Sequence, residues 1–320
     1  MNLKSWLGTS VVLVALSWSG IALAGGEGWT SDFAAAKKQA AESKKDLLID
    51  FTGSDWCGWC IKLNHEVFKH EPFKAGVKDS FVLVELDYPK DKSKLSDETL
   101  KQNEELGKQY QVAGYPTILL CDAGGKPYAA TGYRPGGPEE YVKQLDELRK
   151  RKTARDEALA SAAKSQGVEK AKLLAGAITS MGLTDGMVAS FYGDVIEEIK
   201  ASDPKDETGF GKSAALKVRI AGIKQELGGF MQKKDTAGAL GVLDKALKDG
   251  GLPDGEVQQI MLTRGIIFAE EKKFDEAVKA LDEAKAVDPE SRYGAAVEGI
   301  KEKILQQKEK DAAPAPAAGE

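Results

Sequence analysis

The sequence predicts an α/β domain followed by an all-helical domain. Up to Arg151, short apolar runs alternate with amphipathic segments of helical period, which is typical of a sheet flanked by helices. After Arg151 no convincing strand pattern follows, and Ala, Lys, Glu, Leu and Gly dominate. The length of 320 residues also exceeds that of one ordinary small domain. We therefore expect an α/β domain over 25–151 and an α-helical domain of hairpins over 152–310.

Each element of the first domain follows from a local pattern. Residues 47–51 and 81–86 are short apolar runs, which indicate buried strands. A Gly-Gly turn over 122–125 pairs two further strands, 117–121 and 128–133, as a hairpin. Apolar residues at helical spacing predict four helices, over 32–45, from 57 to about 71, over 99–110 and over 139–151.

Composition excludes several classes of protein. The hydrophobic fraction of 42% supports a packed core and argues against global disorder. The 45 basic and 50 acidic residues give a net charge of -5, so there is no basic excess and nucleic acid is not an expected partner. Three Cys and two His argue against a multi-ligand zinc scaffold and against a small fold held by disulfides.

The first 24 residues have the pattern of a secretory signal peptide. Lys4 precedes an uncharged stretch from Ser5 to Gly26, and Ala22-Leu23-Ala24 matches a small-x-small cleavage site. An uncleaved membrane anchor is the alternative, because about 20 uncharged residues are enough to span a bilayer. Export to a periplasm or out of the cell would place the chain in an oxidising compartment, where a pair of Cys can form a disulfide.

The predicted chemistry centres on Cys57 and Cys60, which lie three residues apart at the start of a helix. Gly58 permits the tight turn that a disulfide within Cys-x-x-Cys needs. Free N–H groups at the helix start favour an anion and should lower the pKa of Cys57, which would make it the attacking thiolate. Cys60, one turn deeper, would resolve the mixed disulfide. Trp56 and Trp59 would present a flat apolar surface to an incoming peptide.

Alternatives remain for every cysteine. Cys57 and Cys60 could form a static structural disulfide, or could bind a metal with His65 as a third ligand. His65 is more simply explained as a residue on an exposed helix face. Cys121 follows the apolar strand and is expected to be a buried, inert thiol, with a regulatory or intermolecular thiol as the alternative.

From about Trp29 to Arg151 the chain resembles the thioredoxin fold, especially secreted bacterial thioredoxin-like proteins, whose central mixed sheet is flanked by helices. The features that carry the resemblance occur in order: Leu47 to Phe51, Trp56-Cys57-Gly58-x-Cys60, Gly114 to Thr117, and a Gly-Gly turn. The resemblance implies a cis proline at Pro116 that shapes a peptide groove beside the sulfurs. It implies the following substrate-binding residues: Trp56, Gly58, Trp59, Tyr115, Pro116 and Thr117.

The resemblance also makes Asp50 the buried carboxylate that takes a proton from Cys60. Burial should raise its pKa, which suits a base near neutral pH. Two departures stand against this role, since the spacing from Asp50 to Cys57 is one residue longer than in thioredoxin and no buried Lys partner appears near Leu83. The alternative is an Asp at a strand end that bonds loop amides. The dipeptide Gly58-Trp59 does not reveal whether the protein is a reductase, an oxidase or an isomerase.

Residues 262–290 of the helical half resemble a tetratricopeptide repeat, in which small residues lie where two helices cross and a Pro ends the second. The matching residues are Gly265, Phe268, Ala277, Leu281, Ala284 and Pro289. Ala239, Leu243 and Ala246 echo the later set 38 residues earlier. Such helix pairs bury a shared core and leave a groove, which favours docking of a partner or substrate. An ordinary helical bundle is the alternative, and 311–320 is expected to be a disordered Ala/Pro tail.

The sequence therefore favours an exported thiol–disulfide oxidoreductase that acts on cysteines of proteins or peptides. Exchange of this kind needs no cofactor, but an external redox partner must regenerate the Cys pair. The alternative is a non-catalytic interaction protein that uses the helical repeats and whose disulfide is structural.

Overall fold

The computed structural model describes residue 26 and residues 28–312. The predicted signal peptide lies outside the described residues, as do residues 313–320 of the predicted tail. The first two residues of that tail, Asp311 and Ala312, instead end the last helix (Arg292–Ala312). By its internal contacts the chain divides into two units, with the division between Thr208 and Gly209. None of the described helices is long and apolar enough to cross a membrane.

The first unit contains a mixed five-stranded sheet, as the sequence predicts. Its strands are β1 (Trp29–Thr30), β2 (Asp46–Thr52), β3 (Phe81–Asp87), β4 (Thr117–Cys121) and β5 (Pro127–Thr131). Their order in the sheet is β1-β3-β2-β4-β5. β3 pairs in parallel with β1 and β2, whereas β4 runs antiparallel to both β2 and β5. Sequence patterns did not predict β1, because two residues are too short to show an alternation.

The helices of the first unit are α1 (Phe33–Ser43), α2 (Gly58–Leu63), α3 (Glu71–Val77), α4 (Asp97–Gln109), α5 (Gly137–Ala162), α6 (Gly167–Met181) and α7 (Asp185–Ser202). The single helix expected from 57 to about 71 is instead α2, a π-helical turn (Asn64–Phe68) and α3. Pro72 lies in the first turn of α3, where its missing N–H costs no hydrogen bond.

The two faces of the sheet differ in character, since successive side chains of a strand alternate between faces. One face, the apolar face, forms a core with α1, α4 and α7. It contains Leu47, Ile49, Phe51, Val82, Val84, Leu86 and Cys121. The opposite face, the acidic face, carries Asp50 and Glu85 and is covered by the π-helical turn, α3 and α5. Trp29 of β1 is the register partner of Leu83 in β3. Its ring lies 5.0 Å from that of Phe68 in the π-helical turn and 6.5 Å from that of Phe73 in α3, so both elements pack over this face.

The first unit extends beyond the boundary expected after Arg151, which falls inside α5. Buried Arg155 of α5 donates to Tyr192 Oη of α7 at 2.9 Å. Tyr192 Oη donates in turn to the Pro127 carbonyl of β5 at 2.6 Å. This chain of hydrogen bonds ties α5 and α7 to the sheet, which is why the unit continues to Thr208.

The second unit is all-helical, as predicted. It consists of α8 (Phe210–Gln232), α9 (Thr236–Asp249), α10 (Asp254–Glu270), α11 (Phe274–Val287) and α12 (Arg292–Ala312). Gly265 lies where α10 meets α11, and a Cβ there would stand only 3.1 Å from Leu281. Ala277, Leu281 and Ala284 are buried in one cluster. The similarly spaced residues Ala239, Leu243 and Ala246 are buried in a second cluster. The assignment to tetratricopeptide repeats stays a prediction.

Candidate redox-active site

Cys57 and Cys60 form a disulfide, with their sulfur atoms 2.08 Å apart. Cys57 is the N-cap of α2, and its Sγ accepts a hydrogen bond from the Cys60 N–H at 3.2 Å. Both residues are buried. The structure thus places the pair at a helix start, where the sequence expected it.

The loop before the pair is fixed by two carboxylates. Asp87, at the end of β3, accepts hydrogen bonds from Ser54 N at 2.8 Å and Ser54 Oγ at 2.6 Å. Asp55 accepts from Lys90 N at 2.9 Å and Asp91 N at 3.1 Å. The backbone N–H of Lys90 is the main reason why the pKa of Asp55 is lowered to about 2. Neither anchor is visible in the sequence, because the residues that each carboxylate bonds lie more than 30 positions away along the chain.

Trp56 is held beside the pair by specific contacts. Its Nε1 donates to the Tyr88 carbonyl at 2.8 Å, and its ring stands edge-on to Tyr115 with centroids 5.5 Å apart. A Cβ on Gly53 would lie 2.6 Å from the indole, so this close approach requires glycine. Trp56 nevertheless keeps 40% of its surface exposed. It can therefore meet a substrate while its orientation is fixed.

Trp59, between the two cysteines, is 57% exposed. Its ring lies 5.0 Å from that of Tyr133, and Lys62 Nζ lies 5.3 Å from the Trp59 centroid and 5.0 Å from the Tyr133 centroid. Tyr133 Oη donates to Glu66 at 2.7 Å. Sequence reasoning found Trp59 but missed Lys62 and Tyr133, which are brought to it by α2 and by the segment that follows β5.

The Tyr115–Pro116 peptide bond is cis, as the resemblance implied. The bond lies directly before β4, whose first residue Thr117 pairs with Phe51 of β2. Thr117 Oγ1 donates to the Gly114 carbonyl at 2.8 Å. All three residues from 115 to 117 are partly exposed. Through the contact between the Tyr115 and Trp56 rings, this loop and the cysteine loop form one surface.

Asp50 lies in β2 on the acidic face, with only 5% of its surface exposed. Its Oδ1 has no hydrogen-bond partner. Burial raises the pKa of Asp50 well above its ordinary value, and the charges of Glu85 and Asp87 raise it further. Bonding to loop amides, the alternative considered for Asp50, is performed by Asp87 instead.

The structure does not bring the remaining candidates to the site. His65 is exposed on the π-helical turn, where its carbonyl contacts His70 Nε2 at 2.9 Å. Cys121 is fully buried on the apolar face, away from the face that carries Asp50. Burial raises the pKa of the Cys121 thiol well above its ordinary value. Across the part of the chain that the structure describes, no group of three or more His, Cys, Asp or Glu is arranged to hold a metal ion.

Comparison with known proteins points to the same region. Residues 33–149 match the family model of the thioredoxin-like domain. The chain is 37% identical over 117 residues to the disulfide bond reductase DsbH of Chlamydia pneumoniae, which covers 37% of this chain and 69% of that protein. It is 32% identical over 92 residues to the thioredoxin-related protein DsbJ of the same organism, covering 29% of this chain and 26% of that one. A solved structure described as DsbH oxidoreductase shares 34% identity and covers 37% of this chain and 81% of that chain, with a TM-score of 0.36.

Proposed function

The chain belongs to the thioredoxin-like family of thiol–disulfide oxidoreductases, and we propose that it works as a reductase of disulfides in exported proteins or peptides. The observation that carries the proposal is the Cys57–Cys60 disulfide at a helix start, beside a loop with a cis Tyr115–Pro116 bond. The direction of the reaction is supported by the similarity to a protein named as a disulfide bond reductase.

In the first step the reduced Cys57 thiolate attacks one sulfur of a substrate disulfide. The N–H of Cys60, which donates to Cys57 Sγ at 3.2 Å, stabilises the thiolate together with the start of α2. A bond forms between Cys57 and the attacked sulfur. The substrate S–S bond breaks, and the other substrate sulfur leaves as a thiolate.

In the second step Cys60 resolves the mixed disulfide. Asp50 takes the proton of the Cys60 thiol, and the resulting thiolate attacks Cys57 Sγ. The bond between Cys57 and the substrate breaks, and the released substrate thiolate takes up a proton. Two electrons have then passed from the Cys pair to the substrate. An external dithiol protein must reduce Cys57–Cys60 before the next cycle.

The substrate would lie across Trp56, Trp59 and the loop from Tyr115 to Thr117. Pro116 carries no N–H, so a peptide can approach the sulfurs without leaving a donor unpaired at that point. Gly58 has open space around the position of a Cβ, which leaves the approach to Cys57 clear. Broad aromatic surfaces suit many peptide sequences, because their contact does not depend on one side-chain type.

The experiment that tests the direction is the reduction potential of the Cys57–Cys60 pair. The mature chain is equilibrated in glutathione buffers and followed by fluorescence of Trp29, Trp56 and Trp59. We expect a value towards the reducing end of the family range, near about -270 mV. A value near about -120 mV would contradict the reductase assignment and favour a disulfide donor. A pair that no glutathione ratio reduces would favour a structural disulfide.

Two variants test the residue roles within the same activity. Cys57→Ala should abolish reduction of insulin, because no attacking thiolate remains. Cys60→Ala should accumulate a mixed disulfide between Cys57 and the substrate, visible by mass spectrometry. Cys121→Ala is the matched control, since Cys121 lies on the apolar face, and it should retain activity.

Export and partner docking complete the proposal. The signal-peptide pattern of residues 1–24 would deliver the chain to the periplasm or outside the cell.

In the second unit, an apolar cleft between α8, α9 and α10 supports docking of a partner or substrate. Its apolar lining is Ile220, Ile223, Leu227, Leu243, Leu252 and Ile260. The export proposal is tested by N-terminal sequencing of the exported protein, which we expect to show cleavage after Ala24.

A further inference from the structure

Glu85 is a buried carboxyl group that the steps above do not use. It lies in β3 with only 2% of its surface exposed, a degree of burial that is rare for a charged residue. Its register partner across the parallel pair β2–β3 is Asp50. The residue opposite the proposed base is therefore a second acid.

Geometry places the two carboxyl groups side by side. Ile49 and Phe51, which flank Asp50, belong to the apolar face, as do Val84 and Leu86, which flank Glu85. Asp50 and Glu85 must therefore both project from the acidic face. Neighbouring strands are about 4.8 Å apart, so register partners on one face are direct neighbours. α2, which carries Cys60, leads into the π-helical turn that covers this face.

The charged and titratable groups around this pair come from several elements. β3 contributes Asp87, whose carboxylate already accepts two hydrogen bonds from Ser54. α5 contributes Tyr141, whose pKa is raised by burial and then by the charge of Asp50, while Arg134 acts on Tyr141 in the opposite direction. The charges that act on Asp50 itself, those of Glu85 and Asp87, are both negative. Two neighbouring buried carboxyl groups that were both ionised would repel each other strongly.

We propose that Glu85 is a positioning residue for the proton transfer at Cys60, because it holds one proton jointly with Asp50 at neutral pH. The inference rests on the proposed role of Asp50. The shared proton limits the negative charge beneath the sulfurs to one, so that thiolates can still form above it. The remaining carboxylate, with the unpartnered Oδ1 of Asp50, accepts the proton of Cys60.

The proton then passes on without any further reactant. Cys60 gives its proton to the pair, and its sulfur attacks Cys57 Sγ. The electron pair of the broken bond goes to the substrate sulfur, which takes the proton from the pair and leaves as a thiol. The acid pair thus returns to its singly protonated state, while the two electrons come from the Cys57–Cys60 dithiol.

The test is a carboxyl titration of the oxidised, full mature chain by ¹³C NMR, without substrate. We expect the Asp50 and Glu85 carboxyl signals to move together in two steps, separated by more than about one pH unit. In Glu85→Gln the upper step should vanish, and the last deprotonation of Asp50 should shift to lower pH by about one unit or more. Glu105→Gln removes the same charge from the exposed surface of α4, where the side chain is 69% exposed, and should leave the Asp50 titration unchanged.

A single step of Asp50 with the same midpoint in the wild type and in Glu85→Gln would overturn the proposal. The proposal would also be overturned if Asp50 and Glu85 together bound two protons, or none, at pH 7. Should Glu85→Gln fail to fold, the wild-type curve decides alone, since one or two steps are visible there. The titration needs no turnover, so a failure of the proposed function appears separately, as retained insulin reduction by Cys57→Ala.

Discussion

The apolar face of the sheet and the start of α2 place cysteines in different surroundings. Cys121 lies on the apolar face, surrounded by residues of β2, β3, α1, α4 and α7. Cys60 is also buried, but it lies on α2, next to the disulfide partner that caps the helix. The π-helical turn that follows α2 covers the acidic face, where Asp50 and Glu85 lie.

The difference shows that burial alone does not make a thiol reactive. On the apolar face, burial raises the pKa of Cys121, and the charge of Asp122 raises it further. At the start of α2, free N–H groups favour the thiolate, and a carboxylate lies on the covered face. The same residue type therefore packs in the core on the apolar face and serves the proposed redox chemistry at the start of α2.

The largest expected effect comes from removing the cover of the apolar face. A chain over 25–151 lacks α7, whose Met187 is buried in that core and whose Tyr192 bonds the Pro127 carbonyl. Loss of one such buried side chain costs about 1.5–3 kcal/mol, so we expect the shorter chain to lose at least about 3 kcal/mol relative to 25–208. Urea unfolding followed by tryptophan fluorescence measures the difference. Equal free energies of unfolding would favour a domain that ends at Arg151.

The second prediction compares the thiols directly. In the reduced protein at pH 7, Cys57 should react with iodoacetamide faster than Cys121 by on the order of 100-fold or more, because only the thiolate reacts. Mass spectrometry of peptides resolves the two sites. In urea the two rates should converge, since unfolding removes both environments. Equal rates in the folded protein would contradict the contrast.

The parts of the fold and of the candidate site that could be predicted from the sequence are those with a local sequence pattern. The strands from β2 to β5 were predicted because apolar runs and a Gly-Gly turn are local signals. Cys57, Cys60 and Pro116 were found because their motifs are contiguous. Glu85 was not recognised, since its meaning depends on register with a strand 35 residues earlier.

The same limit explains the errors. The expected domain end at Arg151 falls inside α5, and the hydrogen bonds that join α5, α7 and β5 leave no periodic signal in the sequence. The π-helical turn was missed because its residues keep an apolar spacing close to that of an α-helix. Asp87, which fixes the cysteine loop, acts through a contact that only the folded chain creates.

The third prediction concerns stability on the acidic face. Because the pKa of Asp50 is raised in the folded protein, its contribution to stability is present below its unfolded pKa of about 3.9 and is lost as the pH rises through the folded pKa. Asp50→Asn should therefore stabilise the protein at pH 8, by about 1.4 kcal/mol for each pH unit by which folding raises the pKa of Asp50. The same substitution should have little effect at pH 4, where the carboxyl group is largely protonated in the folded protein.

The measurement is urea unfolding at both pH values. Cys121→Ser, a polar substitution on the apolar face, is the comparison and should destabilise at either pH, because it buries a hydroxyl in an apolar core. A loss of stability in Asp50→Asn at pH 8 would mean that the Asp50 carboxylate is favourably bonded in the folded state.

The smallest expected effect lies at the exposed rim of the site, where Lys62 contacts the rings of Trp59 and Tyr133. Cation–π contacts at exposed sites contribute about 0.5–1 kcal/mol, and Lys62 also lies 3.8 Å from Glu66. Lys62→Met keeps most of the apolar stem and removes the charge, so Trp59 should lose part of its fixed orientation. We expect KM for a peptide disulfide to rise about 2- to 5-fold with kcat nearly unchanged, because positioning of substrate weakens while the sulfur chemistry remains. Lys101→Met, on the exposed surface of α4, is the matched control and should change neither KM nor kcat. An equal change of KM in both variants would assign the effect to net charge rather than to the orientation of Trp59.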